Sequence, residues 1–166
     1  MSIEKYQNAL VTGAGRRIGR AIAIDLAAAG WAVAVHYHQS VAEAQEVVHS
    51  IEALCGRAVA VAADLRQETA AAKVVAEAAD ALGPLSCLIN NASTFERDTV
   101  ASATRSSWDT HMEVNLRAPF NLTQAFAGQL PDSVEGNVIN IIDQRVWNLT
   151  PDFTTYTLSK AGLWGL

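Results

Sequence analysis

The chain has 166 residues, of which 50% are apolar and 17% are charged, and its formal net charge is −5. This length and composition predict a single domain, residues 1–166, with a sizeable core. The acidic balance argues against nucleic acid or an anionic membrane as a partner. No apolar run reaches the roughly 18 residues of a membrane span. Residues 1–5 lack the apolar stretch of a secretory signal, so we expect a cytoplasmic protein.

The predicted elements alternate between strand and helix along the chain. Strands are expected at residues 8–12, 31–36, 57–62, 85–89 and 137–142. Helices are expected at residues 18–29, 41–54, 67–82 and 105–129, the last with an interruption near Pro119, and another helix begins after Pro151. The strands are continuously apolar, which is typical of a parallel sheet covered on both faces. The sequence therefore predicts an α/β, doubly wound parallel sheet (Rossmann-like), with ligands outside the carboxyl ends of its strands.

A glycine-rich turn joins the first strand to the first helix. Gly13 and Gly15 lie in this turn, and Gly19 lies in the opening of the helix. Such a turn can accommodate unusual backbone angles and the close approach of a phosphate. Arg16 and Arg17 add two cations at a helix N-terminus, an unfavourable arrangement unless an anion binds there. The turn therefore predicts a dinucleotide site, and the alternative is a tight turn with no ligand.

The end of the second strand indicates which dinucleotide is used. An acidic residue there would bind the ribose 2′-hydroxyl of NAD and repel a 2′-phosphate. The stretch instead reads His36, Tyr37, His38, Gln39 and Ser40, with no acid. Its hydrogen-bond donors favour NADP(H), although these residues are also compatible with an ordinary polar loop.

Further polar residues follow the later strands, at the edge where the ligand is expected. Asp64 and Leu65 follow the third strand, and the fourth is followed by Asn90, Asn91, Ala92 and Ser93. Taken alone, these residues are equally compatible with turn chemistry. Asn115 lies inside the long predicted helix, where an Asn is mildly unfavourable.

A Tyr and a Lys four residues apart share one face of the last predicted helix. These are Tyr156 and Lys160, and Asp143 ends the fifth strand upstream of them. A cation near a phenol is expected to lower the pKa of the phenol and make it a better acid–base group. His49 and His111 are expected on helix surfaces, and no metal site is predicted.

Together these residues resemble the short-chain dehydrogenase/reductase family over the whole chain. The glycine turn of the family matches Thr12, Gly13 and Gly19, and the family's Asn-Asn-Ala motif matches Asn90 to Ala92. The helical Asn of the family matches Asn115. The family's Tyr-x-x-x-Lys motif matches Tyr156 and Lys160. Two departures narrow the resemblance: Arg17 replaces the second glycine of the turn, and Asp143 replaces the catalytic Ser. Both are shared with the pteridine reductase branch, which is also similar in His36-Tyr37-His38, in Ser40 and in Asn90 to Phe95.

The resemblance implies NADPH-dependent reduction of a pterin or folate-like ring. Tyr156 would deliver a proton, Lys160 would activate it, Asp143 would orient or protonate the ring, and Asn115 would anchor a water relay. The implied cofactor contacts are Gly13, Arg16, Arg17, Ile18, Gly19, His36, Tyr37, His38, Ser40, Asp64, Leu65, Asn91, Ala92, Ser93 and Lys160. The implied substrate contacts are Arg17, Ser93, Phe95, Asp143 and Tyr156, with Phe95 stacked on the ring; alternatively, Phe95 packs on its own loop. Gln39 departs from the branch, where an Arg often holds the 2′-phosphate.

Members of the family continue past the Tyr-x-x-x-Lys helix with further strands and a substrate lid. We therefore expect this chain to be a piece of a longer enzyme that forms a homo-oligomer, a tetramer, when full length. Two other hypotheses remain open: a general short-chain reductase of carbonyl substrates, and a non-catalytic dinucleotide-binding module.

Overall fold

The structure is a computed structural model that describes residues 6–166; residues 1–5, on which the expected lack of a secretory signal rests, lie outside this range. Five parallel strands form one sheet in the order β3-β2-β1-β4-β5. The strands are β1 Asn8–Val11, β2 Ala32–Tyr37, β3 Ala58–Ala62, β4 Cys87–Asn90 and β5 Asn137–Asn140. The helices are α1 Arg17–Ala28, α2 Val41–Glu52, α3 Ala70–Leu82, α4 Arg105–Met112, α5 Ala118–Gln129 and α6 Thr154–Trp164. The predicted doubly wound parallel sheet is confirmed.

The sheet separates two apolar layers, which explains why its strands are continuously apolar. Leu10 and Leu88 lie in register on β1 and β4 and pack with residues of α3 and α5. Their neighbours Val11 and Ile89 face the opposite layer, formed with α1 and α2. Alternate residues of a strand point to opposite faces, so both sets must be apolar. Cys87, at the start of β4, is buried as a small apolar residue.

The long predicted helix is interrupted just before its proline, close to the expected place. Residues Glu113–Arg117 form a π-helical segment between α4 and α5, with Asn115 at its centre. Pro119 lies in the first turn of α5, where a missing N–H costs little. Helix α3 begins at Ala70, three residues later than expected. A short 3₁₀ turn, Gln144–Val146, precedes α6 and was not predicted.

His111 is buried, and the prediction that it lies on a helix surface was wrong. Its Nε2 accepts a hydrogen bond from the Glu96 backbone N–H at 3.1 Å. Its Nδ1 therefore carries the proton and donates to Thr155 Oγ1 at 2.7 Å. The Thr155 hydroxyl donates in turn to the buried carboxylate of Asp98. This chain of bonds ties the loop after β4 to the start of α6. His49 is exposed, as expected.

Within residues 6–166, none of the helices combines the length and apolar character needed to cross a membrane.

Candidate active site

One cleft of about 950 Å³ opens at the carboxyl ends of the strands. The proposed cofactor, substrate and acid–base residues line it, with the exception of Asn115. The sheet topology brings together residues up to 147 positions apart in the chain, from Gly13 to Lys160. Gln39, noted above as a departure from the branch, also lines the cleft, together with residues that the sequence did not single out: Ala63, Arg66, Thr94, Glu96, Thr110, Val114, Ile141 and Ile142.

The glycine turn is fixed against the end of β4. Gly13 has φ +62°, and a Cβ there would lie 3.0 Å from the Ala92 Cα. A Cβ on Gly19 would lie 2.5 Å from the Asn91 amide nitrogen. That amide donates to the carbonyl oxygens of Thr12 and Gly13 at 2.8 and 3.2 Å. Close packing therefore requires both glycines, and Asn91 holds the turn in place on the cleft wall.

The two arginines of the turn differ in their electrostatic surroundings. Arg16 pairs with Glu43 of α2, so its charge is locally balanced. Arg17 makes no ion pair among the described residues and has φ +50°, a backbone conformation that a non-glycine residue rarely adopts. The expected pair of uncompensated cations is therefore reduced to Arg17. Strained backbone of this kind is concentrated at functional sites.

His36 supports the turn from within the protein. Its Nδ1 accepts from the Gly13 N–H at 3.1 Å, and its Nε2 donates to the Ala63 carbonyl oxygen at 3.2 Å. Burial lowers the pKa of His36 to about 4, so the ring is neutral at physiological pH. Both ring nitrogens are engaged by backbone groups. His36 lines the cleft while its ring nitrogens support the turn, and the expected contact with a cofactor stays a prediction.

Arg66, which no sequence motif indicated, lies at the rim of the cleft beside the end of β3. Arg66 donates to both carboxylate oxygens of Asp64, with Nε–Oδ1 at 2.9 Å and Nη2–Oδ2 at 2.7 Å. This guanidinium holds the pKa of the Asp64 carboxyl well below its usual range. His38 Nε2 lies 3.8 Å from the same carboxylate. Asp64, the acid of this rim, is thus paired with the cation Arg66. In the sequence, only the position of Arg66 two residues after Asp64 could have suggested this ion pair.

Tyr156 and Asp143 are hydrogen-bonded to each other on the wall of the cleft. The Tyr156 hydroxyl donates to Asp143 Oδ2 at 2.9 Å, and Asp143 Oδ1 accepts from the Arg145 backbone N–H at 2.9 Å. Burial, and then the Asp143 carboxylate, raise the pKa of Tyr156 well above its usual value. The expected lowering of this pKa was wrong for the protein alone. At neutral pH, Tyr156 is therefore a protonated phenol that can donate.

Lys160 lies beneath this pair and is almost completely buried. Its Nζ donates to the Ile141 carbonyl oxygen at 2.8 Å and lies 5.9 Å from the centroid of the Tyr156 ring. Burial lowers the pKa of Lys160 to about 8, against the opposing effect of the Asp143 charge. The lysine therefore remains largely protonated at neutral pH.

Asn115 is fully buried and uses every hydrogen-bonding position of its side chain. Its Oδ1 accepts from Ser93 Oγ at 3.0 Å and from the Thr94 N–H at 2.8 Å. Its Nδ2 donates to the Thr94 carbonyl oxygen and to Ser159 Oγ, both at 3.0 Å. The side chain thus has no free position for a water, and the expected water relay at Asn115 stays a prediction. The side chain instead fixes the loop after β4 against α6.

An aromatic cluster of Phe95, Phe153 and Tyr156 lies at the cleft, which Phe95 and Tyr156 line. The ring of Phe95 stacks on Phe153, with centroids 4.3 Å apart and 3° between planes, and meets the edge of Tyr156 at 4.6 Å. Phe95 remains 54% exposed, so Phe153 and Tyr156 cover only part of its ring. Phe153 has φ +62°, and its N–H donates to the Asp98 carbonyl oxygen at 2.7 Å. Nothing in the sequence distinguished Phe153 from an ordinary helix start.

The sequence pattern that defines the short chain dehydrogenase family matches residues 7–166. The chain belongs to the short-chain dehydrogenase family. Among curated family members, the 3-oxoacyl-[acyl-carrier-protein] reductase FabG of Staphylococcus epidermidis is 32% identical over 160 residues. This match covers 96% of the chain and 66% of the FabG sequence.

Solved structures of the family share the fold of this chain. FolM alternative dihydrofolate reductase 1 from Brucella canis, complexed with NADP, is 43% identical with a TM-score of 0.91, over 95% of this chain and 64% of that one. The angucycline C-6 ketoreductase LanV with bound NADP is 36% identical with a TM-score of 0.88, over 95% and 63%. The chain thus spans less than two thirds of the length of these relatives. The family expected from the sequence motifs is confirmed.

In the part of the chain that the structure describes, no group of three or more His, Cys, Asp and Glu side chains could hold a metal ion.

Proposed function

We propose that this protein is an NADPH-dependent reductase of a pterin or folate-like ring. The observation that carries the proposal is the 2.9 Å hydrogen bond from the Tyr156 phenol to the Asp143 carboxylate. This pair stands where most family members are expected to have a Tyr and a Ser. A carboxylate offers acceptors to the ring N–H and amino groups of a pterin. A ketone presents only an acceptor oxygen, for which a carboxylate is a poor partner.

The cleft suits a nicotinamide dinucleotide in shape and charge. The turn at Gly13 is close-packed on β4, and Arg17 is a cation without an acidic partner on the cleft wall. Asp64 is matched by Arg66, so the far rim has no unpaired acid to repel a 2′-phosphate. The turn, Arg17, His38, Ser40 and Lys160 would hold the cofactor. When bound, the cofactor supplies the hydride.

The protein supplies the proton and holds the reacting groups. Tyr156 carries the proton on its hydroxyl, because its raised pKa keeps the phenol neutral at working pH. The Lys160 ammonium stabilises the phenolate left when that proton is given up. Asp143 accepts from the phenol and orients the substrate by hydrogen bonding. Phe95 offers its exposed ring to a flat substrate, a contact worth on the order of 1 kcal/mol beyond buried area.

The relatives support two substrate classes. FolM, named as an alternative dihydrofolate reductase, supports the folate-like substrate. FabG and LanV, named as a 3-oxoacyl reductase and a ketoreductase, support a carbonyl substrate as the second candidate. We favour the first because Asp143 and Arg17 both depart from the family pattern in the direction of the pteridine reductases. Assembly as a homo-oligomer and a cytoplasmic location stay predictions.

Substitution of the two residues that distinguish the sites tests the proposal. Asp143→Ser and Phe95→Ala should each lower kcat/KM for dihydropterins by roughly tenfold or more, with little change in NADPH affinity. Gln144→Ala, an exposed neighbour, is the matched control. If both variants reduce dihydropterins as well as the parent does, the carbonyl substrate should be preferred.

Cofactor preference is tested separately by fluorescence titration. NADPH should bind more tightly than NADH, and Gln39→Arg should strengthen NADPH binding by about 1 kcal/mol through one charge-assisted contact. Equal or tighter binding of NADH would contradict the NADP assignment.

A further inference from the structure

Arg145 presents a cation at the edge of the aromatic cluster. Its guanidinium carbon lies 4.5 Å from the Phe153 ring centroid and 5.8 Å from the Phe95 centroid. Its Nη1 donates to Thr150 Oγ1 at 2.6 Å. The ring contact and this hydrogen bond hold the side chain in one orientation, so little entropy is lost when it binds a partner.

No carboxylate within residues 6–166 forms an ion pair with Arg145. The two nearest acids in the chain are engaged elsewhere. Asp143 accepts from the Tyr156 hydroxyl, and Asp152 pairs with Arg97 at 3.0 Å. Five other arginines have acidic partners, namely Arg16, Arg66, Arg97, Arg105 and Arg117, whereas exposed Arg17 and Arg20 form no ion pair among the described residues. Arg145 is thus a half-buried cation without a counter-charge, beside the ring proposed to stack on substrate.

We propose that Arg145 binds a carboxylate on the side chain that extends from the ring of the substrate, an inference that rests on the proposed function. The site would then favour a folate-type substrate, which carries an anionic tail, over a pterin with a neutral side chain. A flat ring stacked on Phe95 directs its substituent out of the cleft, and Arg145 lies along the rim of the same cluster. Arginine suits this task because its planar fork binds a carboxylate through two parallel hydrogen bonds.

The alternative role of Arg145 is packing alone. A guanidinium stacked on Phe153 supports the cluster whatever the substrate carries. The two roles differ in one respect: packing would affect every flat ligand equally, whereas carboxylate binding affects only the ligand with the anionic tail.

The test compares the binding of folic acid and biopterin, measured by isothermal titration with saturating NADP⁺. Arg145→Met keeps an unbranched apolar side chain that can cover Phe153 but removes the charge. Arg145→Lys restores a point charge. Arg105→Gln removes a charge from an exposed pair on α4 and is the control. Unfolding by urea checks that each variant is folded.

We expect Arg145→Met to weaken folic acid binding roughly tenfold and biopterin binding less than twofold, the size of one charge-assisted contact. Arg145→Lys should recover part of the loss, and Arg105→Gln should match the parent. Added salt should weaken folic acid binding to the parent more than to Arg145→Met. Equal loss for both ligands, or no loss for either, would overturn the role of Arg145 and leave the proposed function standing. Failure of the parent to bind either ligand would overturn both.

Discussion

Acid should destabilise this protein through one buried histidine. The pKa of His36 falls from 6.5 to about 4 on burial, so the unfolded chain binds a proton more readily than the folded one between these values. Stability therefore falls as the pH drops through this window. Between pH 7 and pH 5, a single group with this shift removes about 2 kcal/mol of unfolding free energy. Protonation of Nδ1 also turns a proton towards the Gly13 N–H, which breaks the contact that supports the glycine turn.

Urea unfolding at pH 7 and pH 5 measures this effect in the parent and in His36→Asn. The Asn amide oxygen can still accept from Gly13 but does not titrate, so this variant should lose about 2 kcal/mol less than the parent over the interval. His49→Asn, at an exposed helix position, should behave as the parent does. NADPH affinity should also fall more between pH 7 and pH 5 in the parent and in His49→Asn than in His36→Asn. An identical pH dependence of stability in the parent and His36→Asn would show that protonation of His36 does not cause the loss.

Three further variants test the site. Tyr156→Phe should lower kcat by roughly 100-fold or more while leaving NADPH affinity nearly unchanged, since only the proton donor is lost; retained turnover in a stopped-flow assay would mean the proton comes from another group. Gly19→Ala should abolish NADPH binding in a titration because its Cβ would meet the Asn91 amide at 2.5 Å, whereas Gly128→Ala, with nothing within 4 Å, should bind normally. Asn115→Ala should lower the urea-measured unfolding free energy by ~3 kcal/mol because its buried partners lose their bonds; a loss no larger than that of the exposed control Gln124→Ala would contradict this.

Much of the fold could be predicted because its signals are local. Continuous apolar strands separated by long connections specify a parallel sheet covered on both faces, as the two apolar layers confirm. The proposed site residues meet in one cleft for the same reason, since the carboxyl ends of parallel strands share one edge. Motif spacing placed most of these residues on that edge, but it missed Arg66 and included Asn115, which does not line the cleft.

What the sequence could not predict depends on tertiary packing. His111 has an ordinary helical context, and its burial follows from partners at Glu96 and Thr155 that are distant in sequence. The expected sign of the Tyr156 pKa shift was wrong because burial and the Asp143 carboxylate raise the pKa, while the Lys160 ammonium hydrogen-bonds a backbone carbonyl. Phe153 joins the cluster through a left-handed backbone conformation that no local pattern signals.

Turnover of ring and carbonyl substrates, compared side by side, decides the substrate class. NADPH oxidation by a single preparation should be followed with dihydrobiopterin, dihydrofolate and a 3-oxoacyl thioester. We expect kcat/KM for the better of the two reduced ring substrates to exceed that for the thioester by roughly tenfold or more, a difference of about 1.4 kcal/mol in transition-state stabilisation. A preference of the same size for the 3-oxoacyl thioester would contradict it and favour the carbonyl reductase.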